Sequence, residues 1–269
     1  VLARATQGEG DLQGAQRAYA EVLRRRPAML PAQLEAAQLV WMTTGNQADA
    51  LRAVDEALKG RGADPMLGMV KAQALEFMGD GPAALASLAV LLAHPGCPAP
   101  VLAYASHLAA QVGETMEGLQ LAERAVQAAP GDPGALQAQA RARLAVGDAR
   151  GAMGILESLL QRHPNDQHLL ALLAVAWRLL GDPRYPLLYD YGRFVRAQPL
   201  DLPPGWSDLP AYVAALADEL KAAHLFHTHP FGHSLRQGSQ LPDVLRRTSP
   251  ALAAFPRALS GPLQAYLAQ

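Results

Sequence analysis

Four of the chain's eight histidines lie close together, at His224, His227, His229 and His233. Neutral imidazole binds zinc, iron and copper, so the first chemistry to consider is a metal site. No Asp, Glu or Cys accompanies the four at a ligand spacing, and the His-Glu-x-x-His helix of zinc metallohydrolases is absent. A metal site and a purely local role in capping, packing or hydrogen bonding both stay open, and the sequence favours the local role.

Other catalytic motifs are absent from the sequence. It contains neither a Gly-x-Ser-x-Gly nucleophile elbow nor a glycine-rich phosphate loop ending in Lys-Ser or Lys-Thr. No pair of acids stands out as a general acid and base. We therefore predict that the chain holds no catalytic residue and no metal ligand.

The composition indicates a protein with a large apolar core. Half of the 269 residues are apolar, 17% are charged, and the net charge of −1 gives no field that would attract nucleic acid or an anionic membrane. The longest apolar run, 169–177, falls far short of the ~20 residues that span a bilayer. The single cysteine, Cys97, favours a reducing compartment. We predict a cytoplasmic protein that binds neither nucleic acid nor membrane, and, because it begins with Val1, a portion of a longer chain.

A period of 34 residues runs through the first 200 positions. A glycine followed by Asp, Asn or Glu recurs at spacings of 35, 34, 34, 34 and 34, at Gly10, Gly45, Gly79, Gly113, Gly147 and Gly181. Around each glycine, apolar residues recur three and four positions apart, as in amphipathic helices. The period predicts helical hairpins in which a left-handed glycine ends the first helix and the next residue forms the turn or caps the second.

Two further positions keep the same period. Alanine stands five residues after the glycine, where it would let helices approach closely, at Ala15, Ala50, Ala84 and Ala152. Proline closes several units, at Pro27, Pro130 and Pro164. With the 34-residue period, these marks resemble the tetratricopeptide repeat (TPR) family. The resemblance covers 1–200 and implies an all-α, superhelical solenoid of about six helical hairpins.

In the TPR frame, a partial unit at 1–30 precedes five units, at 31–64, 65–98, 99–132, 133–166 and 167–200. The chain departs from the family pattern at Leu91 and Leu159, which stand where alanine is usual. Pro186 is expected to disturb the second helix of the last unit. Stacked hairpins share a continuous core, and the concave groove that the family's first helices line implies a protein or peptide partner.

The positions that should line the groove, according to the resemblance to TPR units, are partly polar. The candidate peptide-binding residues are Gln73, Glu76, His107, Arg141 and Arg178, beside apolar positions such as Leu39 and Met42. Only two asparagines occur, both near turns, which excludes the Lys- and Asn-based carboxylate clamp of chaperone-binding TPR proteins. Arg141 and Arg178 either hold an acidic group of the partner or are solvated and pair with local acids.

After Pro199 the period stops and a proline-rich linker follows. We therefore place a domain boundary at 200, between the solenoid at 1–200 and a second domain that begins at 201–269. Two helices are predicted beyond the linker. The first runs from about 209 to 224, and the second, at 250–269, is expected to break at Pro256 and at the Gly261-Pro262 pair.

The stretch 200–240 resembles the start of the 2-oxoglutarate/Fe(II) oxygenase domains that bacterial TPR proteins carry at their C-terminus. The resemblance rests on a Pro-Pro-Gly before a helix, a Leu-His helix end, and a His-Pro followed by a Ser-Leu-Arg segment. The motif residues are His229, Ser234, Arg236 and Gln240, although Gln237 replaces a family glycine and Ser239 a threonine. Arg236 and Gln240 either brace the mouth of an active site or cross-link the segment, and the structural role is favoured.

This resemblance implies a parent enzyme that uses Fe(II) and 2-oxoglutarate to hydroxylate a protein recruited by the groove. Such enzymes hold iron with two histidines and a carboxylate, the first pair spaced His-x-Asp or His-x-Glu. No histidine here is followed two residues later by Asp or Glu. We therefore expect the chain itself to hold no cofactor, with the iron-binding half beyond residue 269. A TPR scaffold whose C-terminal segment caps the solenoid stays open as the alternative.

Overall fold

The computed structural model describes residues 1–62, 64–233, 235, 238–241, 244 and 247–268, and this part of the chain contains helices and no strand. The helices are α1 Leu2–Gly8, α2 Leu12–Arg25, α3 Leu30–Thr44, α4 Gln47–Arg61, α5 Pro65–Phe77, α6 Gly81–Ser87, α7 Ala89–Leu92, α8 Ala99–Gln111, α9 Thr115–Ala128, α10 Pro133–Ala145, α11 Ala149–Arg162, α12 Gln167–Leu180, α13 Tyr185–Tyr189, α14 Tyr191–Phe194, α15 Leu209–Ala223 and α16 Pro250–Leu267. The predicted all-α class is confirmed.

Contacts divide the chain into two units. The first comprises Val1–Trp41 and Gly45–Tyr189, and the second comprises Met42–Thr44 and Asp190–Gln269. The predicted boundary at 200 therefore falls inside the second unit, which begins its continuous stretch at Asp190. No helix in the described ranges combines the length and the apolar character needed to cross a bilayer.

In the first unit, helices pack in chain order from α4 to α13, as expected for stacked hairpins. The first helices of successive hairpins also pack directly on one another, α5 on α8, α8 on α10 and α10 on α12. Each hairpin therefore buries one side against the next, which a single hairpin could not do alone. The predicted solenoid is confirmed.

The hairpin turns follow the sequence period. All six periodic glycines have positive φ angles, between 65° at Gly45 and 94° at Gly113, a region that costs glycine little. The residue after the glycine often caps the second helix: the side chain of Asp11 accepts a hydrogen bond from the Gly14 amide at 2.8 Å, and that of Asp148 accepts one from Gly151 at 2.9 Å. Both roles predicted for the turn residues are confirmed.

The small residues five positions after the glycine lie where helices approach closely. The four periodic alanines are buried, at Ala15, Ala50, Ala84 and Ala152. Of the two remaining positions, one is Pro186 and the other is Gly118, where an added Cβ would lie 3.0 Å from the Ser106 carbonyl oxygen and 3.4 Å from the Ala110 nitrogen. Alanine would therefore fit only if the backbone of α8 moved away by a few tenths of an ångström.

We expect Gly118→Ala to lower the free energy of unfolding by about 1–2 kcal/mol, because overpacking outweighs the gain in helix propensity. The matched control is Gly154→Ala in α11, where an added Cβ meets nothing within 4 Å. That variant should be more stable than the parent by about 0.5–1 kcal/mol. Urea unfolding of both variants checks the opposite signs, and equal effects would contradict the close approach of α8 and α9.

Two departures from the family pattern have distinct structural outcomes. Leu91, which replaces a family alanine, lies against Gly68 of α5, where an added Cβ would lie 2.8 Å from the Leu91 side chain. The missing side chain at Gly68 thus makes room for the larger leucine. The second helix of the last unit is short, since α13 covers only Tyr185–Tyr189, but Pro186 stands in its first turn, where proline is tolerated, and so does not account for the end at Tyr189.

The core of the second unit forms between α15 and α16. Tyr212 is fully buried and packs with Ala251 and Ala258. The Trp206 ring meets Tyr212 edge-on with centroids 5.3 Å apart, and the Tyr212 hydroxyl donates to the Ala251 carbonyl at 3.2 Å. The predicted first helix is confirmed, because α15 begins after Asp208 and ends at Ala223.

The expected breaks in α16 are wrong, because the helix runs unbroken from Pro250 to Leu267 through both prolines. Pro262 has no N–H for the Ala258 carbonyl, but the Asp201 amide donates to that oxygen at 2.9 Å. The Asp201 carboxylate also accepts from the Gly261 amide at 3.0 Å, and a side chain on Gly261 would collide with it. Asp201 thus replaces the hydrogen bond that the proline removes.

The N-terminus of α16 is capped from another helix. Both oxygens of Glu219, on α15, accept hydrogen bonds at 2.9 Å, from the amides of Ala251 and Leu252. Burial alone would raise the pKa of Glu219, but these bonds and one from Ser249 outweigh it and lower the pKa. The carboxylate therefore satisfies amides that have no partner within α16.

Candidate functional site

The five predicted groove residues all lie on first helices of the hairpins. Gln73 and Glu76 are on α5, His107 is on α8, Arg141 is on α10 and Arg178 is on α12. Because these helices pack side by side, the five positions share one surface, which we call the first-helix face. Four of the five are half-buried, and Arg178 is exposed.

The apolar positions expected in the groove are placed differently. Leu39 and Met42 are 1% and 4% exposed, so they offer a ligand almost no surface. Val175, which continues the same 34-residue spacing on α12, is 46% exposed. The part of the face that remains open is therefore the part carried by α5, α8, α10 and α12.

A hydrogen-bonded group centred on Glu76 joins two consecutive hairpins. One carboxylate oxygen accepts from the Tyr104 hydroxyl at 2.5 Å, and the other lies 3.0 Å from His107 Nε2 and accepts from Gln111 Nε2 at 2.9 Å. Burial alone would raise the pKa of Glu76, but the hydrogen bonds from His107 and Tyr104 outweigh it and lower the pKa to about 2. Glu76 is therefore ionised at neutral pH, and its oxygens are already occupied.

Arg141 forms the second polar group of the face. Its Nη2 lies 3.2 Å from Nε2 of His168, on the first turn of α12. Because a guanidinium only donates, His168 accepts, and its proton lies on Nδ1. Burial lowers the pKa of Arg141, and burial together with the charge of Arg141 lowers the pKa of His168. Arg178 lies in the last turn of the same helix, about 15 Å further along its axis.

Comparison with known proteins identifies the fold. No protein-family model and no curated protein matches the chain. Among solved structures, it is similar to a tetratricopeptide repeat protein from Parabacteroides merdae, with 17% identity and a TM-score of 0.53, over 82% of this chain and 84% of that chain. It is also similar to PilW, a type IV pilus biogenesis factor, with 19% identity and a TM-score of 0.53, over 73% and 92%. The chain has the TPR fold.

Within this TPR fold, sequence reasoning found only part of the polar surface. It named Glu76, His107 and Arg141, which the structure brings to one face, but it missed Tyr104 and Gln111, which bind Glu76. It also missed His168, the partner of Arg141, which belongs to no recognised motif. The 34-residue spacing aligns positions on successive helices but does not tell which side chains reach across to the next one.

Two histidines of the second unit lie within hydrogen-bonding distance of hydroxyl groups. His224 Nδ1 lies 2.5 Å from the Ser239 hydroxyl, and His229 is buried with Nδ1 at 3.4 Å from the Thr228 hydroxyl. In the described part of the chain, no three His, Cys, Asp or Glu side chains are grouped so that they could hold a metal ion. The comparisons with TPR structures do not bear on the oxygenase resemblance.

Of the four residues of that resemblance, the structure describes His229, which is buried, and Gln240, which is half-buried. Ser234 and Arg236 lie outside the described residues, as does Gln237. The bracing role and the structural role of Arg236 and Gln240 therefore stay predictions.

We expect Glu76→Gln to lower the free energy of unfolding by about 1–2 kcal/mol at neutral pH, because charge-assisted hydrogen bonds become neutral ones. The side chain is 11% exposed, so solvent screens these bonds little. A carboxylate with a lowered pKa stabilises the fold above its unfolded pKa of 4.5, and this contribution is lost as the pH falls through about 2. Urea unfolding at pH 6 and pH 3 should show the difference between parent and variant shrinking at pH 3, and a constant difference would contradict the lowered pKa.

Proposed function

We propose that the chain is a non-enzymatic protein- or peptide-binding module that recognises a partner segment on the first-helix face. The observation that carries this proposal is the row of half-buried polar groups on consecutive first helices, from Glu76 through His107 to Arg141. Hydrogen bonds already hold several of these side chains in place. Pre-ordered groups lose little conformational entropy when a partner binds, which favours affinity.

A purely structural role of the same groups is the competing explanation. It predicts that changes on the face alter stability without affecting any interaction. The two explanations are separated by mapping where a bound peptide contacts the chain. A peptide that lies on the face must approach residues such as Gln73, whereas a peptide bound elsewhere need not.

The experiment is a selection of random peptides against the full chain, followed by photo-cross-linking. A cross-linking amino acid at Gln73, on α5, should capture the selected peptides. The same amino acid at Gln120, an exposed position on the second helix α9, should not. Equal capture from both positions, or no selected peptide at all, would overturn the proposal.

A second candidate is a binding module of a longer 2-oxoglutarate/Fe(II) oxygenase, which the resemblance of 200–240 favours. The residues of this chain do not fit the iron site, because the sequence has no His-x-Asp or His-x-Glu and the described residues hold no three-ligand group. We therefore assign no catalytic step to it. Reading the gene beyond residue 269 tests this candidate. A His-x-Asp and a distal His in β-rich sequence would support it. Their absence would favour the non-enzymatic binding module proposed first.

A further inference from the structure

We propose that Arg141 and His168 form a carboxylate-binding site for an acidic segment of the partner, in which ligand binding is coupled to proton uptake by His168. The ligand is a glutamate or aspartate side chain or a chain terminus, which present the same two oxygens. The inference rests on the proposed function, because the pair lies on the first-helix face.

The first argument is the lack of an anionic partner for Arg141. Other arginines of the described chain have a carboxylate as partner: Arg143 pairs with Asp148, and Arg184 pairs with Glu157. No carboxylate of the described residues lies within ion-pair distance of Arg141, although it is half-buried. A guanidinium has five N–H donors, and burying its charge without an anion costs free energy that a bound carboxylate would recover.

Glu76 does not fill this role. Its negative charge raises the pKa of Arg141 from a distance, against the larger lowering effect of burial. Its two oxygens already accept hydrogen bonds from Tyr104 and Gln111 and contact His107. The carboxylate of Glu76 is therefore committed to α8, which leaves the guanidinium of Arg141 for a ligand.

The second argument is the imidazole beside the guanidinium. Burial has the largest effect on the pKa of His168 and lowers it. The charges of Arg141 on α10 and His107 on α8 lower this pKa further. Asp166, at the N-cap of the same helix as His168, raises it. Helices α11 and α13, which also pack on α12, contribute no such group among the described residues. The imidazole is therefore neutral while it accepts from Arg141.

A carboxylate bound to Arg141 would reverse this balance. Its negative charge offsets the guanidinium at His168, so the pKa of the imidazole rises and a proton is taken up from solvent. The imidazolium then donates Nε2–H to the second carboxylate oxygen. By linkage, the affinity for the carboxylate ligand must rise as the pH falls through the raised pKa of His168. The maximum gain is about tenfold for each unit by which the ligand raises that pKa.

The test uses the full chain, labelled at its histidines, and three peptides of equal length with blocked N-termini. One peptide carries internal glutamates with an amidated end, one has alanines with a free C-terminal carboxylate, and one carries glutamines in place of the glutamates. Calorimetry at pH 7.5 and 5.5 should show about tenfold tighter binding of an acidic peptide at pH 5.5. The glutamine peptide should not bind. Whichever acidic peptide binds identifies the source of the carboxylate, and binding of neither overturns the proposal.

Two variants assign the effect to the pair. Arg141→Gln should lose the acidic peptide at both pH values. His168→Gln can still accept from Arg141, so it should bind as the parent does at pH 7.5 but lack the rise at pH 5.5. The matched control is Arg150→Gln, an exposed arginine on the second helix α11, which should behave as the parent.

The titration midpoint of His168 can be measured by nuclear magnetic resonance. If the Arg141–His168 pair had only a structural role, a bound peptide would leave this midpoint unchanged. The midpoint should shift to higher pH when the acidic peptide is present. An unchanged midpoint, or a pH-dependent rise that survives in His168→Gln, overturns the coupling. If selected peptides cross-link at Gln73 while the acidic probes do not bind, this inference fails and the proposed function stands. If no peptide engages the first-helix face, both fail.

Discussion

Truncating Leu156 to alanine is expected to lower the free energy of unfolding by about 2–5 kcal/mol, because it leaves a cavity that the surrounding helices cannot close. Leu156 is fully buried on α11, in a cluster with Ala140 of α10 and with Leu173 and Trp177 of α12. The side chain therefore joins two consecutive hairpins as well as the two helices of its own. Urea unfolding followed by circular dichroism measures the loss.

The control for this variant is Leu179→Ala, a leucine on α12 that is 59% exposed, whose change should stay within about 0.5 kcal/mol. Contacts in a stacked repeat run mainly between neighbours, so the damage should also be local. Amide hydrogen exchange should accelerate more in α10, α11 and α12 than in α5. A Leu156→Ala protein as stable as the parent, or one with uniformly faster exchange, would contradict this account of the core.

Replacing Tyr212 by alanine should have the largest effect in the second unit, about 3–5 kcal/mol, as for other large aromatic truncations. The ring is fully buried and packs with Trp206, Ala251 and Ala258. Among the described residues of this unit, Tyr212 is the largest side chain that is fully buried, so it supplies much of the contact between α15 and α16. Exchange of the amides in these two helices measures the effect.

Tyr212→Phe separates the hydroxyl from the ring. It removes the hydrogen bond to the Ala251 carbonyl and keeps the packing, so the expected loss is only about 1 kcal/mol. Fluorescence of Trp206 should change strongly in the alanine variant and weakly in the phenylalanine variant. Equal damage from both substitutions would mean that the hydroxyl, and not the buried ring, holds the two helices together.

Substitutions at Glu76 and Arg141 should separate stability from the proposed interaction on the first-helix face. Glu76→Gln should cost stability while the peptide cross-link from Gln73 persists, because the glutamine can still occupy the same place between α5 and α8. Arg141→Gln should do the reverse, with a small change in stability and a loss of acidic ligands. Such opposite outcomes would show that the two residues differ in function, although both are half-buried polar residues on the same face.

The hairpins could be predicted because their signals are local. A glycine at Gly79 or Gly147 adopts its positive φ angle through its own lack of a side chain, and Asp148 caps the helix that begins next to it. The same reasoning predicted α15 after Asp208. It failed where a local rule was overridden from a distance, as when the Pro262 position in α16 is stabilised by Asp201.

By itself, the sequence determined the repeat, the turns and the positions that share the first-helix face, because a fixed period and residues with special backbone preferences act over a few residues. Only the tertiary structure decided which side chains meet. Arg141 pairs with His168, 27 positions away, Tyr104 binds Glu76 over 28, and Asp201 reaches Gly261 over 60. Such pairs depend on how neighbouring helices cross and how far each side chain extends, and a spacing in the sequence specifies neither.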